Sequence, residues 1–143
     1  MKASGLLITK LKEFEGLRLK SYRCSAGVWT IGYGHTRGVK AGQVITKTQA
    51  ETLLHGDLLP VERYVDGLKL HLTQGQFDAL VDFAFNLGTG ALGRSSLLQK
   101  VLLKTPTADI QAEFRKWVYA GGKKLPGLVK RREWEANRWS END

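Results

Sequence analysis

The sequence predicts a mostly helical α+β protein, in which a small lobe with a short antiparallel sheet adjoins a larger helical lobe. Three observations predict it. Apolar residues recur at spacings of three and four near the start of the chain and again after Ile45. Between these regions lies a stretch rich in Tyr, Val, Trp, Thr, Ile and Gly, the composition of short strands and tight turns. Two Thr-x-x-Gln boxes, Thr46 to Gln49 and Thr73 to Gln76, have the form of helix starts, in which hydroxyl and amide side chains satisfy orphan backbone groups.

From Ser4 to Phe14, the residues Leu7, Ile8, Leu11 and Phe14 make one helical stripe, and Gly16 stands where a left-handed residue closes a helix. Ser21 to Thr36 reads as short strands with turns, with Gly32, Gly34 and Gly38 at bends. A hairpin centred on Gly27 would set Cys24 directly opposite Thr30, thiol beside hydroxyl on one face. Thr46 opens a helix through Leu53, Leu54 and Leu58 toward Tyr64. A kink is expected at Pro60, which leaves the Gly56 carbonyl without its amide partner. Thr73 opens a second helix with Phe77, Leu80, Val81, Ala84 and Leu87. Phe83 and Phe85 make it apolar nearly all round, so it is expected to be the central core helix, ending at Gly88-Thr89-Gly90. Further helices fit Ser95 to Leu103, Thr107 to Tyr119 (closed by Gly121-Gly122) and Pro126 to Trp139, with Pro126 as a first helical residue. Without repeats or linkers the chain reads as a single domain over 1–143. Its small lobe covers about 15–45, and its helical lobe about 46–143 together with the N-terminal helix, with a cleft expected between them.

A chain of 143 residues closes a core without staples, and its one cysteine excludes an intramolecular disulfide. Its apolar and charged fractions exclude disorder. Against 14 acidic residues stand 22 basic ones, a formal charge of +8 that draws the molecule toward polyanions: nucleic acid, anionic lipid or a cell envelope. No nucleic-acid-binding motif accompanies the charge, so nucleic acid is not the expected partner, whereas weak attraction to an anionic membrane or envelope is. No apolar run reaches the roughly 18 residues of a membrane span. The apolar stretch after Met1 is too short for a signal peptide, with Lys10 and Lys12 close behind, so synthesis in the cytoplasm without an export signal is expected.

Glu15 falls at the end of the first helix, where the macrodipole presents negative charge and disfavours the ionised carboxylate, as a general acid requires. The plainer reading makes Glu13 and Glu15 surface charges. Cys24 and Thr30 are either a paired thiol and hydroxyl that handle a reacting group, or a small apolar residue and an ordinary strand former. Trp117, Trp134 and Trp139 sit at helical spacing and read as core, while Trp29 fits either core or a binding platform. The last helix is basic and amphipathic, which suits packing on the bundle better than membrane activity.

Glu15, eight residues, Cys24, five residues and Thr30 are embedded in Glu13-Phe14-Glu15-Gly16-Leu17-Arg18-Leu19 and Val28-Trp29-Thr30-Ile31-Gly32-Tyr33-Gly34-His35-Thr36. This pattern resembles the Glu-Asp/Cys-Thr triad of phage-type lysozymes, with wording closest to the lambdoid endolysin branch. The similarity continues through Phe85 to Leu92 and Gly121 to Glu133. The resemblance implies a lysozyme-like fold and hydrolysis of the β-1,4 bond between N-acetylmuramic acid and N-acetylglucosamine in bacterial peptidoglycan. Glu15 would be the general acid. The second position is more often Asp, and here it is Cys24. Two roles stay open for it: a base or electrostatic partner to a water also held by Thr30, or a nucleophile toward the anomeric carbon. Four further residues could meet substrate. Asn86 could bind sugar or cap its helix. Arg131 and Arg132 could receive peptide-stem carboxylates or form a solvated helix face. His35 could contact substrate, but an imidazole bonded to a nearby carboxylate or backbone group is the preferred reading. No cofactor and no metal are expected; a zinc site of Glu15, Cys24 and His35 lacks paired ligand spacing. A monomer is expected, reaching the wall after holin-type opening of the inner membrane. The competing functions are a catalytically weakened wall-binding relative and a cysteine-dependent wall amidase. The amidase fits less well, because its nucleophile would sit at a helix N-terminus and Cys24 falls in a hairpin.

Overall fold

Both Thr-x-x-Gln boxes open helices, as the sequence predicts. At Thr46 the Gln49 amide donates to the Thr46 hydroxyl oxygen (3.1 Å), while the Gln49 side-chain oxygen accepts from the Thr46 amide (2.8 Å). Thr73 and Gln76 repeat this reciprocal pair. In the computed structural model, which describes residues 1–141, the elements run as α1 (Gly5–Glu15), β1 (Arg18–Arg23), β2 (Trp29–Gly32), α2 (Lys47–Gly67), α3 (Gln74–Leu87), α4 (Thr89–Arg94), α5 (Ser96–Leu102), α6 (Thr107–Arg115), β3 (Tyr119–Ala120), β4 (Lys123–Lys124) and α7 (Pro126–Trp139). The fold is mostly helical α+β with two small antiparallel sheets. Among the described residues no helix is long and apolar enough to cross a membrane.

Two compact units divide the chain: residues 8–60, and residues 1–7 with the chain from Val61 onward. In the first unit Leu11, Ile31, Tyr33, Ala50, Leu54 and Leu58 supply the buried apolar side chains. Helix α1 ends where expected, with the Gly16 amide donating to the Lys12 carbonyl (2.9 Å). Strands β1 and β2 pair antiparallel with Tyr22 opposite Thr30 and Arg23 opposite Trp29. The hairpin is therefore centred on Ala26 rather than Gly27, which corrects the expected register. Cys24 closes the turn on Val28, its amide donating to the Val28 carbonyl (3.0 Å), and the Gly27 amide donates to the Cys24 carbonyl (2.8 Å). The physical reason is that a three-residue hairpin loop places its left-handed residue last, and Gly27 (φ 77°) fills that position. Helix α2 runs through Pro60; the exposed Gly56 can give its unpartnered carbonyl to water.

In the second unit α3 packs against α7, and α6 against α7. Phe83 meets Phe114 and Trp117 edge to face, at 5.9 and 5.3 Å between centroids, and Trp139 tilts against Phe114. The expectation that α3 is apolar nearly all round needs correction: Asp78 and Asp82 on it are fully buried. Their charges are met from α7, Arg138 donating to Asp78 (2.9 Å) and Arg131 to Asp82 (2.9 Å). The helix expected over Thr107 to Tyr119 stops at Arg115, because Gly121-Gly122 forms a two-residue turn that pairs Tyr119 with Lys124. Gly88-Thr89-Gly90, which reads as a terminator, ends α3 and also begins the short α4.

Candidate active site

The first unit carries three of the residues that the sequence singles out for chemistry. Thr30 lies on β2, 4% exposed, directly across from Tyr22. Cys24, half-buried, lies two residues beyond Tyr22. A shift of two residues preserves the face of a strand, so Cys24 and Thr30 are diagonal neighbours on one face although not directly opposed. The sulfur meets the Thr30 hydroxyl there, and the turn wraps it in amides. The Val28 amide and then the Ala26 amide hold the Cys24 thiol below the ordinary thiol range; desolvation opposes them, and the Thr30 hydroxyl adds a smaller lowering effect. The Thr30 hydroxyl also donates to the Val28 carbonyl (3.0 Å). With one hydrogen and two acceptors, it can turn toward sulfur as negative charge develops there.

Glu15 is the last residue of α1, part-exposed. Its carboxylate lies against Gly34, in the turn that continues β2: a methyl placed on Gly34 would meet Glu15 Oε1 at 2.6 Å. Gly34 also has φ 78°, so both the space and the backbone there require glycine. The chain thus brings its acid to the loop beyond Thr30, and its thiol to the hairpin turn before Thr30.

The remaining residues fall elsewhere or are already engaged. His35 Nδ1 lies 2.8 Å from Asp57 Oδ2, and Nε2 lies 2.8 Å from the Arg37 carbonyl. Backbone pairing of His35 with Ile31 completes the anchoring arrangement that the sequence favours over substrate contact. Arg131 and Arg132 form neither a solvated face nor an open carboxylate-binding fork, being 5% and 0% exposed. Arg131 holds Asp82; Arg132 donates to Asn86 (2.7 Å) and Glu135 (2.9 Å). Asn86 thus serves as an acceptor for a buried guanidinium, and the helix cap falls to Gly88. Burial, and the neighbouring Asp82 through hydrogen bond and charge, push the Glu135 carboxyl well above the usual range, with Arg132 opposing.

Sequence reasoning missed Gly34 as a partner of Glu15, Asp57 as a partner of His35, and the acids of α3. Only the last left a signal: Asp78 and Asp82 stand one turn apart in an otherwise apolar helix, where acids call for buried partners, and α7 offers several arginines.

Comparison with known proteins gives this arrangement a context. The phage lysozyme family model matches residues 12–135. The endolysin of Acyrthosiphon pisum secondary endosymbiont phage 1 is 45% identical over 130 residues, which cover 87% of this chain and 88% of that one. The endolysin of Bacillus phage PZA is 47% identical over 142 residues, 94% of this chain but 54% of that protein's length. A crystal structure of a P22 lysozyme mutant matches with a TM-score of 0.84 and 36% identity, covering 99% of both chains. The lysozyme-like fold and a family match across most of the length agree: the chain belongs to the phage lysozyme family, glycoside hydrolases that act as endolysins on peptidoglycan.

Proposed function

We propose that this chain hydrolyses the β-1,4 bond between N-acetylmuramic acid and N-acetylglucosamine, with Glu15, Cys24 and Thr30 as its catalytic residues. The observation that carries the assignment is the Cys24 sulfur, ringed by the Val28 and Ala26 amides and the Thr30 hydroxyl. Negative charge is favoured at that atom, so a thiolate can do there what a carboxylate does in other family members. Glu15 gives its proton to the glycosidic oxygen as the C1–O bond breaks and the ring gains oxocarbenium character. A water held by Thr30 bonds to C1 and yields its proton to the Cys24 thiolate, giving inversion. Exchange with solvent then restores the protonated Glu15 and the thiolate. The same depressed thiol supports a second course, in which sulfur attacks C1 directly and water later releases the sugar with retention. The anomeric configuration of products formed in heavy-oxygen water separates the two.

Intact walls incubated with the protein are expected to gain reducing sugar ends; new free amines instead would identify an amidase. Glu15→Gln is expected to abolish the reducing ends at unchanged melting temperature, Cys24→Asp to keep them, and Cys24→Ala to lose most of them. Full activity in Glu15→Gln or Cys24→Ala would refute the corresponding role. The substrate lies beyond the inner membrane, so this reading includes holin-type release and action as a monomer. Sedimentation of the purified protein tests the latter.

A further inference from the structure

The first unit carries more cations than its acids match. Glu13 pairs with Lys10, Glu51 with Lys12 and Asp57 with His35. Arg18, Lys20, Arg23, Arg37, Lys40 and Lys47 have no ion pair among the described residues. Two of these differ from ordinary solvated charges. The Arg18 guanidinium lies 4.4 Å over the Tyr22 ring, and that of Arg23 lies 5.3 Å over Trp29. A ring beneath a guanidinium restrains where the group sits, while N–H donors turned away from the ring stay available for a planar, two-oxygen acceptor. Both arginines are exposed, and neither guanidinium donates a hydrogen bond to another described residue.

The hairpin separates their roles. Tyr22 stands directly opposite Thr30 and shares its face with Cys24, whereas Arg23 and Trp29 form the next rung and point to the other face. A register irregularity between Arg18 and Tyr22 accompanies the return of the Arg18 side chain over the Tyr22 ring. One ring-held guanidinium therefore belongs to the face that carries the thiol and hydroxyl, and the other does not.

We infer that Arg18, held by Tyr22, binds a carboxylate of the peptide stems that peptidoglycan bears on its muramic acid residues. The inference rests on the muramidase reading for the identity of the polymer. The chemistry is that of a fork and a carboxylate: two parallel N–H···O bonds, charge-assisted, from a guanidinium whose place over Tyr22 is already set. It supplies the carboxylate contact that Arg131 and Arg132, buried against protein acids, do not offer.

The test measures binding of a fluorescent disaccharide–tetrapeptide whose sugar is N-acetylglucosaminyl-N-acetylmuramic acid, a product that a muramidase does not cut further. Its carboxyl-amidated form and the peptide-free disaccharide serve as comparisons. Arg18→Gln is expected to weaken binding of the acid form about fivefold to tenfold, the scale of one charge-assisted contact reduced by exposure. It should leave the preference for acid over amide near unity. Arg23→Gln removes the same charge from the other face and is expected to change the acid form less than about twofold. Tyr22→Phe, which keeps the stack, should bind like the parent, and Arg18→Lys should fall between parent and Arg18→Gln. Equal losses in the Arg18 and Arg23 variants would reduce the effect to general charge and overturn the proposal. So would equal losses on acid and amide forms. Vesicles of phosphatidylglycerol and phosphatidylethanolamine form the last arm: if Arg18→Gln weakens their binding while the muropeptide is held as before, the site belongs to lipid. Failure of the muramidase reading would appear separately, as intact walls without new reducing ends, and the binding comparison would stand on its own.

Discussion

Gly34 carries a hydrogen where any other residue would press a carbon into the Glu15 carboxylate. Two costs are combined there, backbone strain at φ 78° and displacement of an acid, and another glycine separates them. Gly42 has φ 76° with nothing within 4 Å of its position for a side chain. Gly34→Ala and Gly42→Ala are each expected to lose about 1 kcal/mol of stability from strain. Only Gly34→Ala is expected to lose turnover as well, by about tenfold or more with KM little changed, because misplacing a reacting group acts on the transition state. Thermal melts and initial rates of reducing-end release check both. At Cys24 the expected signature is alkylation by iodoacetamide that titrates below the ordinary thiol range. Thr30→Val removes one donor and leaves the two amides, so the midpoint should move up only part of the way. The neighbourhood of Cys24 and Thr30 was legible in the sequence, since both belong to one local hairpin. The contact of Glu15 with Gly34 was not, because it joins α1 to a turn beyond β2, and glycine in a bend does not reveal what approaches it.

Elements with local rules were the most readable. Capping boxes and Pro126 set the starts of α2, α3 and α7 because each depends on a few adjacent residues. Turns were less readable, since Gly27 and Gly121-Gly122 admit several loop geometries, and the choice among them shifts the register or replaces the end of a helix with a hairpin. The contact of α3 with α7 shows a third limit. Its buried acids and arginines could each be taken for surface charges until the two helices are seen packed. Asp82→Ala, which removes the acid that the buried Arg131 guanidinium holds, is expected to lose about 3–5 kcal/mol. Denaturant unfolding measures it, and a loss below about 1 kcal/mol would show that water reaches the pair.

Across the whole molecule, charge and its burial set the response to solution conditions. Glu135 is fully buried, and its proton is held more tightly in the folded than in the unfolded chain. A carboxyl raised in this way stabilises the fold most fully below its unfolded value near 4.5, and that contribution is lost as pH rises toward the folded value. Glu135→Gln, which cannot titrate, is expected to flatten the fall of melting temperature over that range, as a pH series of melts of parent and variant will show. A net charge of +8 is readable from composition, whereas the pairing that buries part of it is not. That pairing has a consequence for synthesis. Asp78 takes the Ser4 amide (3.0 Å) and hydroxyl from one side and the Arg138 guanidinium from the other. A nascent chain on the ribosome presents Ser4 before Asp78 and Arg138 only well after it. The unit that contains α3 and α7 therefore closes its interior only once α7 has been made, when that helix arrives to neutralise an acid that has waited in water.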